Sequence, residues 1–339
     1  MKDLLVVGGG PAGLATALHA AREGLDVTVL EQREGVVDKA CGEGLMPGAL
    51  ASLLDLKVDP PGQEITGIRY VAGSRSAAAP FREGPGRGVR RTALHRAMRE
   101  AALDAGVTLE RRTVDGVHQS GDAVEAAGLR ARYLVAADGL HSPVRRALGL
   151  DAPPTSGRRF GLRRHFTVEP WTTLVEVHWG ELAEAYVTPV APDMVGVAML
   201  TSARGSFDEH LSRFPALRDR LHTAVGDVLG AGPLRQRARN RVAGRVLLVG
   251  DASGYVDALT GEGVALAVAQ AKVAVAAVRD GDPSRYDREW RQVTRRYRLL
   301  TTGLLGATRF PLVRRALVPA ATMLPSVFGT AVHALARPA

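Results

Sequence analysis

Three glycines near the N-terminus have the spacing of a nucleotide-binding turn. Gly8, Gly10 and Gly13 satisfy the pattern G-x-G-x-x-G in the run Gly8-Gly9-Gly10-Pro11-Ala12-Gly13. In such a turn the first glycine permits a sharp bend, the second lets the backbone approach a pyrophosphate, and the third lets helix and strand pack closely. Glu31 follows eighteen residues after Gly13, where a carboxylate can accept hydrogen bonds from both hydroxyls of an adenosine ribose. These residues predict a dinucleotide site.

The elements around these residues support that prediction. Leu4-Leu5-Val6-Val7 is apolar without alternation, as in a parallel strand buried on both faces. Residues 14–23 predict a helix whose N-terminus faces the anion, and residues 27–30 predict the next strand. Glycines alone also mark ordinary turns, but strand, glycines, helix, strand and acid within about thirty residues are far more specific.

The rest of the chain predicts a second, β-rich unit. Residues 158–168, 172–179, 185–189 and 194–200 predict strands without crossover helices, and therefore an antiparallel sheet distinct from the doubly wound part. Residues 207–229 are predicted to be mostly helical. Residues 261–278 predict a long, nearly uncharged helix, which Lys272 identifies as a buried core helix and not a membrane span.

Composition excludes several classes of protein. The formal net charge is +9, but arginine supplies 40 of the 44 basic residues and these are scattered, so we expect no nucleic-acid partner. Cys41 is the single cysteine, and no basic leader precedes the first strand, so we expect a cytoplasmic protein without an intrachain disulfide. The oligomeric state is left open.

The C-terminal tail permits two arrangements. Residues 316–336 contain no charged side chain unless His333 is protonated, and Pro319 and Pro325 interrupt them. We expect a packed lid or a dimer surface, with peripheral contact of the tail with a membrane as the alternative. A lipophilic substrate suits both arrangements.

Three segments together carry a family resemblance: the unit from Gly8 to Glu31, Asp138-Gly139 within Ala137-Asp138-Gly139, and Gly250-Asp251 followed by Gly261-Glu262-Gly263. They resemble the class A flavoprotein group, which contains para-hydroxybenzoate hydroxylase-type monooxygenases and geranylgeranyl reductases. The resemblance implies FAD at the first site and no second nucleotide domain, so that NAD(P)H would visit as a transient reductant. It also implies an α/β fold with a Rossmann-like, doubly wound FAD-binding domain of the GR2 type, an inserted β-rich substrate domain and a helical C-terminal tail.

The same resemblance divides the chain and assigns its residues. The FAD-binding domain is expected at residues 1–60, 90–155 and 240–285, the substrate domain at 61–89 and 156–239, and the helical tail at 286–339.

Asp251 can accept from a ribityl hydroxyl, and the Gly261 helix can direct its dipole at the flavin. Asp251 could instead cap a helix or loop, and Asp138 could be an ordinary turn acid. The predicted cofactor-binding residues are Gly8, Gly10, Pro11, Ala12, Gly13, Glu31, Gln32, Arg33, Cys41, Gly42, Arg91, Asp138, Gly139, Gly250, Asp251, Gly261, Glu262 and Gly263.

Catalytic and substrate residues are predicted near the flavin. The loop Cys41-Gly42-Glu43-Gly44 looks like that of geranylgeranyl reductases, which implies Cys41 and Glu43 as catalytic candidates, although a buried thiol is also a common core residue. Tyr186, His178 and Trp179 are the substrate candidates. Because side chains alternate along a strand, only one of His178 and Trp179 can point into the pocket. The histidines and glutamates of this region lack metal-ligand spacing, so we expect no metal.

Two reactions remain open. The first is an NAD(P)H-driven monooxygenase that hydroxylates an aromatic, polyketide-like or other lipophilic small molecule through a flavin hydroperoxide. The alternative is delivery of a flavin hydride to a carbon–carbon double bond of a lipophilic substrate, as in the geranylgeranyl reductases. The Gly-Glu-Gly run favours the reductases, whereas the run Tyr186-Val187-Thr188-Pro189 lacks their aromatic signature, so monooxygenation is our expectation. A non-catalytic flavin-binding module is the third hypothesis.

Overall fold

The computed structural model describes residues 1–153 and 158–337. The strands are β1 (Lys2–Val7), β2 (Val27–Glu31), β3 (Gly44–Leu45), β4 (Gln63–Ile65), β5 (Gly67–Ala72), β6 (Arg75–Pro80), β7 (Gly86–Gly88), β8 (Thr108–Arg111), β9 (Val117–Ser120), β10 (Ala123–Ala126), β11 (Leu129–Ala136), β12 (Phe160–Thr167), β13 (Leu174–Trp179), β14 (Ala183–Ala191), β15 (Met194–Thr201), β16 (Thr223–Ala231), β17 (Gln236–Arg237), β18 (Val242–Ala243), β19 (Val246–Leu248) and β20 (Gly254–Tyr255). The α-helices are α1 (Pro11–Arg22), α2 (Pro47–Asp55), α3 (Arg91–Asp104), α4 (Pro143–Ala147), α5 (Phe207–Leu211), α6 (Pro215–Arg218), α7 (Gly263–Arg279), α8 (Tyr286–Ala307), α9 (Pro311–Met323) and α10 (Pro325–Ala336).

The first sheet brings the sequence motifs to one edge. Its order is β18-β19-β11-β1-β2-β8, with β10 and β9 continuing from β11. The pairs β1–β2, β1–β11, β11–β19 and β2–β8 are parallel. Since parallel strands end at the same edge, the glycine turn, Glu31, Asp138 and Gly250 all follow strands that end there. Helices α1, α3 and α7 cover one face of the sheet, and α4 with the β9–β10 hairpin covers the other.

The second sheet has the order β16-β12-β15-β14-β13-β5-β6. The antiparallel pairing predicted for residues 158–200 is confirmed for β12, β13, β14 and β15. The helical prediction for residues 207–229 is wrong beyond Arg218, because Thr223–Ala231 forms β16 and pairs antiparallel with β12. About half of this strand is exposed at the sheet edge, so it lacks the apolar pattern of a buried strand. Its β-branched residues and its hydrogen bonds to the neighbouring strand favour the extended structure.

Of the C-terminal helices, α8 is bonded to the domain of the first sheet, and α9 and α10 contact the second sheet. The α8 hydroxyls of Tyr286 and Tyr297 donate to the carbonyl oxygens of Leu248 (2.8 Å) and Asp257 (2.7 Å). Helices α9 and α10 pack on β6. The predicted fold class is confirmed: a Rossmann-like α/β domain, a β-rich insertion and a helical C-terminal tail. The predicted domain boundaries stay a prediction, and the one at residues 155 and 156 lies outside the described residues.

No single helix within residues 1–153 and 158–337 has the length and apolar composition needed to cross a membrane. The pair α9 and α10 passes that test only when the two are taken together, and they are bent by 105° at Leu324.

Candidate active site

The glycine turn is tightly closed on one side and open on the other. Gly8 has a φ of 103° and donates its N–H to the Leu30 carbonyl (2.8 Å). A Cβ at Gly13 would overlap the Gly8 carbonyl oxygen, where α1 and β1 make their closest approach. A Cβ at Gly10 would meet nothing within 4 Å among the described residues. This open space lies at the N-terminus of α1, where an anion is stabilised.

Glu31 lies at the end of β2 beside this turn. Its carboxylate accepts from the Gly9 N–H (2.9 Å), the Arg33 N–H (3.0 Å) and the Arg33 guanidinium (2.9 and 3.0 Å). Burial raises its pKa, but the bonds from Arg33 and Gly9 outweigh burial and hold the pKa below the ordinary value. Glu31 is therefore an ionised acceptor at neutral pH, as recognition of a ribose requires.

His95 of α3 is a functional candidate that the sequence pattern did not reveal. The Val37 N–H donates to His95 Nδ1 (3.2 Å), so Nε2 carries the ring proton and donates to the Gly9 carbonyl oxygen (2.9 Å). The ring is buried, and burial lowers its pKa, which favours the neutral form. The Gly9 C=O and the Gly10 N–H belong to one trans peptide and point in opposite directions. The hydrogen bond to the Gly9 carbonyl therefore directs the Gly10 N–H away from His95.

Arg91 opens α3 and is 5% exposed. One of its guanidinium nitrogens, Nη1, is buried and has no hydrogen-bond partner among the described residues. Burial lowers the pKa of this guanidinium, while Cys41 and Asp38 oppose the shift. A buried cation with a free N–H has the chemistry to receive a phosphate oxygen.

The Asp138 carboxyl holds the turn after β11. Oδ2 accepts from the Val144 N–H (3.1 Å), whereas Oδ1 is buried without a partner among the described residues. Burial raises its pKa. Arg145, which is buried, donates to Asp151 (2.5 Å) and to the Ala252 carbonyl (3.0 Å), and so links this turn to the segment that follows β19.

That segment is a 3-10 turn that begins at Gly250. The Gly250 N–H donates to Gln270 Oε1 of α7 (2.7 Å), and a Cβ at Gly250 would lie 2.6 Å from the Ala12 Cβ. Burial raises the pKa of Asp251, while Lys39, Arg91 and Arg145 oppose the shift. The fold therefore brings Asp251 near the Arg91 guanidinium and the glycine turn.

Glu43 joins the Cys41–Met46 loop to helix α3 and to the second sheet. This carboxylate is buried, and it accepts from the Arg91 backbone N–H (2.8 Å) and from His165 Nε2 of β12 (2.8 Å). Arg163, which also pairs with Asp38, donates to His165 Nδ1 (3.0 Å), so the proton of this ring sits on Nε2 and points at Glu43. Every Glu43 oxygen has a fixed partner, an arrangement that positions the loop.

Cys41 begins this loop. Its Sγ accepts from the Glu43 N–H (3.4 Å), and the side chain is partly buried. Burial, assisted by the Glu43 charge, raises the pKa of the thiol. Cys41 is therefore a neutral thiol at neutral pH, not an activated nucleophile.

The loop ends against the start of α7. The Met46 Cε lies 3.7 Å from the position of a Cβ on Gly261, and α7 begins at Gly263. The N-terminus of α7 therefore lies next to the Cys41–Met46 loop. At this place the positive end of the α7 dipole and the loop can both contact the ring system of a bound cofactor.

The arrangement fits FAD. The site combines a cradle that a Cβ would fill, an ionised ribose acceptor and a buried guanidinium with an N–H that has no partner among the described residues, which is the donor set that a dinucleotide needs. The remaining predicted cofactor residues are neighbours of these, with Gln32 and Gly42 exposed at the rim. Their individual roles stay predictions.

The three substrate candidates occupy different places. Trp179 is 8% exposed and packs edge-on against Tyr70, with ring centroids 5.4 Å apart. The Tyr186 hydroxyl donates to the Leu259 carbonyl (3.1 Å). His178 is on the opposite face, where Nε2 lies 3.2 Å from Glu176. Their part in substrate binding stays a prediction.

A cavity of about 680 Å³ separates the second sheet from the C-terminal helices. Its buried end contains Trp179, Val256 and Asp257, and burial raises the pKa of Asp257 to about 6 against the opposing charge of Arg159. Apolar contacts extend the buried end toward the flavin site. They form one cluster that includes Met46, Leu259, Trp179, Tyr186, Tyr255 and Leu305.

Glu262, which precedes α7, gives a pH-dependent prediction. It is 4% exposed, and burial raises its pKa to about 7, while Arg296 and Thr260 oppose the shift. The unfolded carboxyl ionises at its lower ordinary pKa of 4.5, so stability is lost as the pH rises from there to about 7 and stays lost above. We expect Glu262→Gln to raise the free energy of unfolding of the FAD-free protein by up to about 3 kcal/mol near pH 8 and by little near pH 4. Urea titrations across this range measure it, and a gain independent of pH would contradict it.

Comparison with known proteins agrees with this geometry. The profile of a family described as FAD binding domain matches residues 1–279. A menaquinone reductase of Mycolicibacterium smegmatis is 30% identical over 85% of this chain and 79% of its own length. Digeranylgeranylglycerophospholipid reductase 1 of Methanothermobacter thermautotrophicus is 31% identical over 83% of this chain and 78% of its own. The crystal structure of a geranylgeranyl bacteriochlorophyll reductase-like protein from Thermoplasma acidophilum shares the fold, with a TM-score of 0.81, 21% identity and coverage of 94% and 90% of the two chains.

The fold and the site define an FAD-dependent oxidoreductase of the class A flavoprotein group, and the resemblance predicted from the sequence is confirmed. The chain belongs to the FAD binding domain family.

Proposed function

We propose that the chain uses FAD to reduce a carbon–carbon double bond in the isoprenoid part of a lipophilic substrate. The observation that carries the proposal is the apolar cluster that continues from Met46, at the flavin site, to Trp179 and Leu305 at the cavity. An extended hydrocarbon chain suits a cavity whose inner wall continues into such apolar side chains. The relatives named as reductases support the same choice over the hydroxylation that we expected.

The residues of the chain have defined tasks in this proposal. When bound, FAD supplies the hydride equivalent, and we propose NAD(P)H as its transient source. Arg91 and Glu31 hold the nucleotide, and His95 orients the Gly9–Gly10 peptide. Glu43 and His165 keep the Cys41 loop against α3 and β12, so that water is excluded from the reacting bond.

Turnover without oxygen tests the reaction. We would reduce the FAD-loaded protein anaerobically with NADH, NADPH or dithionite and add a menaquinone or an unsaturated isoprenoid phospholipid. We expect the flavin to reoxidise and mass spectrometry to show a gain of two hydrogens in the isoprenoid chain. Product that forms only after oxygen is admitted, and contains an added oxygen atom, would establish hydroxylation instead. Bleaching by dithionite but by neither nucleotide would exclude NAD(P)H.

We further propose Cys41 as the acid that donates the proton to the second carbon. Its raised pKa keeps the proton on sulfur until the hydride equivalent has been transferred. We expect Cys41→Ala to retain FAD and to lower kcat by roughly 100-fold, the usual contribution of a general acid. Cys41→Ser, which keeps a donor of similar size, is the matched control and is expected to lose less. Unchanged turnover in both variants would show that Cys41 contributes to packing and not to catalysis.

The tail suggests how such a substrate reaches the cavity. Leu312 and Met323 are each 80% exposed on α9, and Leu324 and Val327 continue the patch onto α10. Pro311, at the start of α9, lines the cavity, so the patch borders its opening. We propose that this patch rests on a membrane surface, where the net charge of +9 would favour anionic lipid.

Vesicle binding tests this contact. We expect the protein to sediment with vesicles of anionic phospholipid, and Leu312→Ser with Met323→Ser to reduce the bound fraction at least several-fold. Leu103→Ser is the matched control, because Leu103 is exposed on α3, which packs on α1 in the nucleotide domain. Concentration-dependent dimers in analytical ultracentrifugation, lost in the double variant and without vesicle binding, would identify a dimer surface instead.

A further inference from the structure

The open end of the cavity is strongly basic. Five arginines line the cavity against two carboxylates, Glu181 and Asp257. The arginines are Arg159, Arg235, Arg309, Arg314 and Arg315. This excess of positive charge is unexpected for a cavity whose buried end is apolar.

Internal ion pairs neutralise only part of this charge. Arg159 and Arg314 share the buried carboxylate of Glu184, at 2.8 and 2.6 Å, and Arg159 also lies 3.1 Å from Asp257. Arg315 pairs with Glu181 at 2.5 Å, and both side chains are about 70% exposed. These three arginines have carboxylate partners in the structure.

Arg235 and Arg309 differ from the other three. Neither has an acidic partner or a side-chain hydrogen bond among the described residues, although both line the cavity. Arg235 is partly buried next to β17, and Arg309 is exposed between α8 and α9. The cavity therefore has two guanidinium groups whose charge nothing in the described protein balances. Helix α9 begins at the same place and adds the positive end of its dipole.

The two ends of the cavity thus favour opposite parts of an amphipathic molecule. At the buried end the apolar side chains of Trp179 and Val256 lie beside Asp257, whose charge is already paired with Arg159. Arg235 and Arg309, which have no acidic partner among the described residues, are the guanidinium groups suited to the oxygens of a phosphate. We propose that Arg235 and Arg309 bind a phosphate-bearing headgroup of the lipophilic substrate, with the hydrocarbon chain directed toward the flavin. This inference rests on the proposed function, because it names the substrate class of the same cavity.

Direct binding separates this inference from the reaction itself. Calorimetry would compare three probes on the FAD-loaded protein: a saturated isoprenoid alkyl phosphate, the matching alcohol and inorganic phosphate. We expect the alkyl phosphate to bind at least 10-fold more tightly than either of the others. Arg235→Gln with Arg309→Gln should reduce its affinity by at least roughly 100-fold, since two charge-assisted bonds are lost, and should leave the affinity for the alcohol unchanged. Arg99→Gln, which removes an exposed charge on α3, is the matched control.

Two results would overturn the headgroup site. One is equal affinity for the alkyl phosphate and the alcohol in the wild-type protein. The other is inorganic phosphate binding as tightly as the alkyl phosphate, which would identify a site for free phosphate. Turnover distinguishes the two proposals: reduction of a neutral isoprenoid with no selectivity for phosphate refutes the headgroup site alone, whereas selective binding of the alkyl phosphate without reduction of any isoprenoid refutes the proposed reaction alone.

Discussion

Alanine at Gly13 is expected to prevent folding of the nucleotide domain, whereas alanine at Gly10 is expected to leave the fold intact and to weaken FAD binding. The Gly13 Cβ would overlap the Gly8 carbonyl oxygen, and neither α1 nor β1 can move without opening the core between them. We expect a cost above about 4 kcal/mol, at the upper end for one substitution.

Gly10 is the matched control within the same turn. Its φ of −75° suits any residue, and its Cβ would contact no described atom, so the methyl group occupies only the space through which a pyrophosphate approaches. We expect unchanged stability of the FAD-free protein and roughly 10- to 100-fold weaker FAD binding, equivalent to the loss of one charge-assisted hydrogen bond. Urea denaturation and flavin calorimetry measure the two effects. Equal effects of the two substitutions on stability and on FAD binding would contradict the separate roles of Gly13 in packing and Gly10 in cofactor approach.

Removal of the Glu43 carboxylate is expected to have the second-largest effect. Glu43→Ala would leave the buried His165 without its acceptor and the buried Arg163 without an ion-pair partner at 4.0 Å. It would also leave the Arg91 N–H at the start of α3 without its acceptor. Breaking a buried charge network by removing one partner costs about 3–5 kcal/mol. We therefore expect a corresponding loss in the free energy of unfolding, with looser attachment of the Cys41 loop.

Glu34→Ala is the control for charge removal. Glu34 is 80% exposed and pairs with an exposed Arg111, so its loss should cost less than about 1 kcal/mol. Glu43→Gln keeps the shape but cannot accept from all partners, and should lie between these two. Turnover of the folded, FAD-loaded fraction separates positioning from catalysis: unchanged stability with abolished turnover in Glu43→Gln would return Glu43 to the catalytic role suggested by the sequence.

The reductase proposal changes how Cys41 and its loop are interpreted. Burial raises the pKa of the thiol, and the Glu43 carboxylate accepts from the Arg91 N–H and from His165. A neutral acid on this loop is what the proposed addition across a double bond requires after hydride transfer.

The sequence by itself determined the nucleotide half of the site. G-x-G-x-x-G between a strand and a helix, with Glu31 after the next strand, depends on local turn geometry and on spacing within one supersecondary unit. Such short-range constraints are written directly in residue types. The parallel order of β1, β2 and β11 then placed the Asp138 and Gly250 segments at the same edge, as their positions after apolar strands had indicated.

Only the tertiary structure decided the rest. The His95 bond to Gly9 joins residues 86 positions apart, and the Glu43 bond to His165 joins residues 122 apart, so no local pattern records either. Residues 223–229 became a strand because β12 offered an edge to pair with, which outweighed their weak local preference. The unbalanced charge of Arg235 and Arg309 likewise depends on which of the scattered arginines meet a carboxylate after folding, a property of the packed chain and not of its composition.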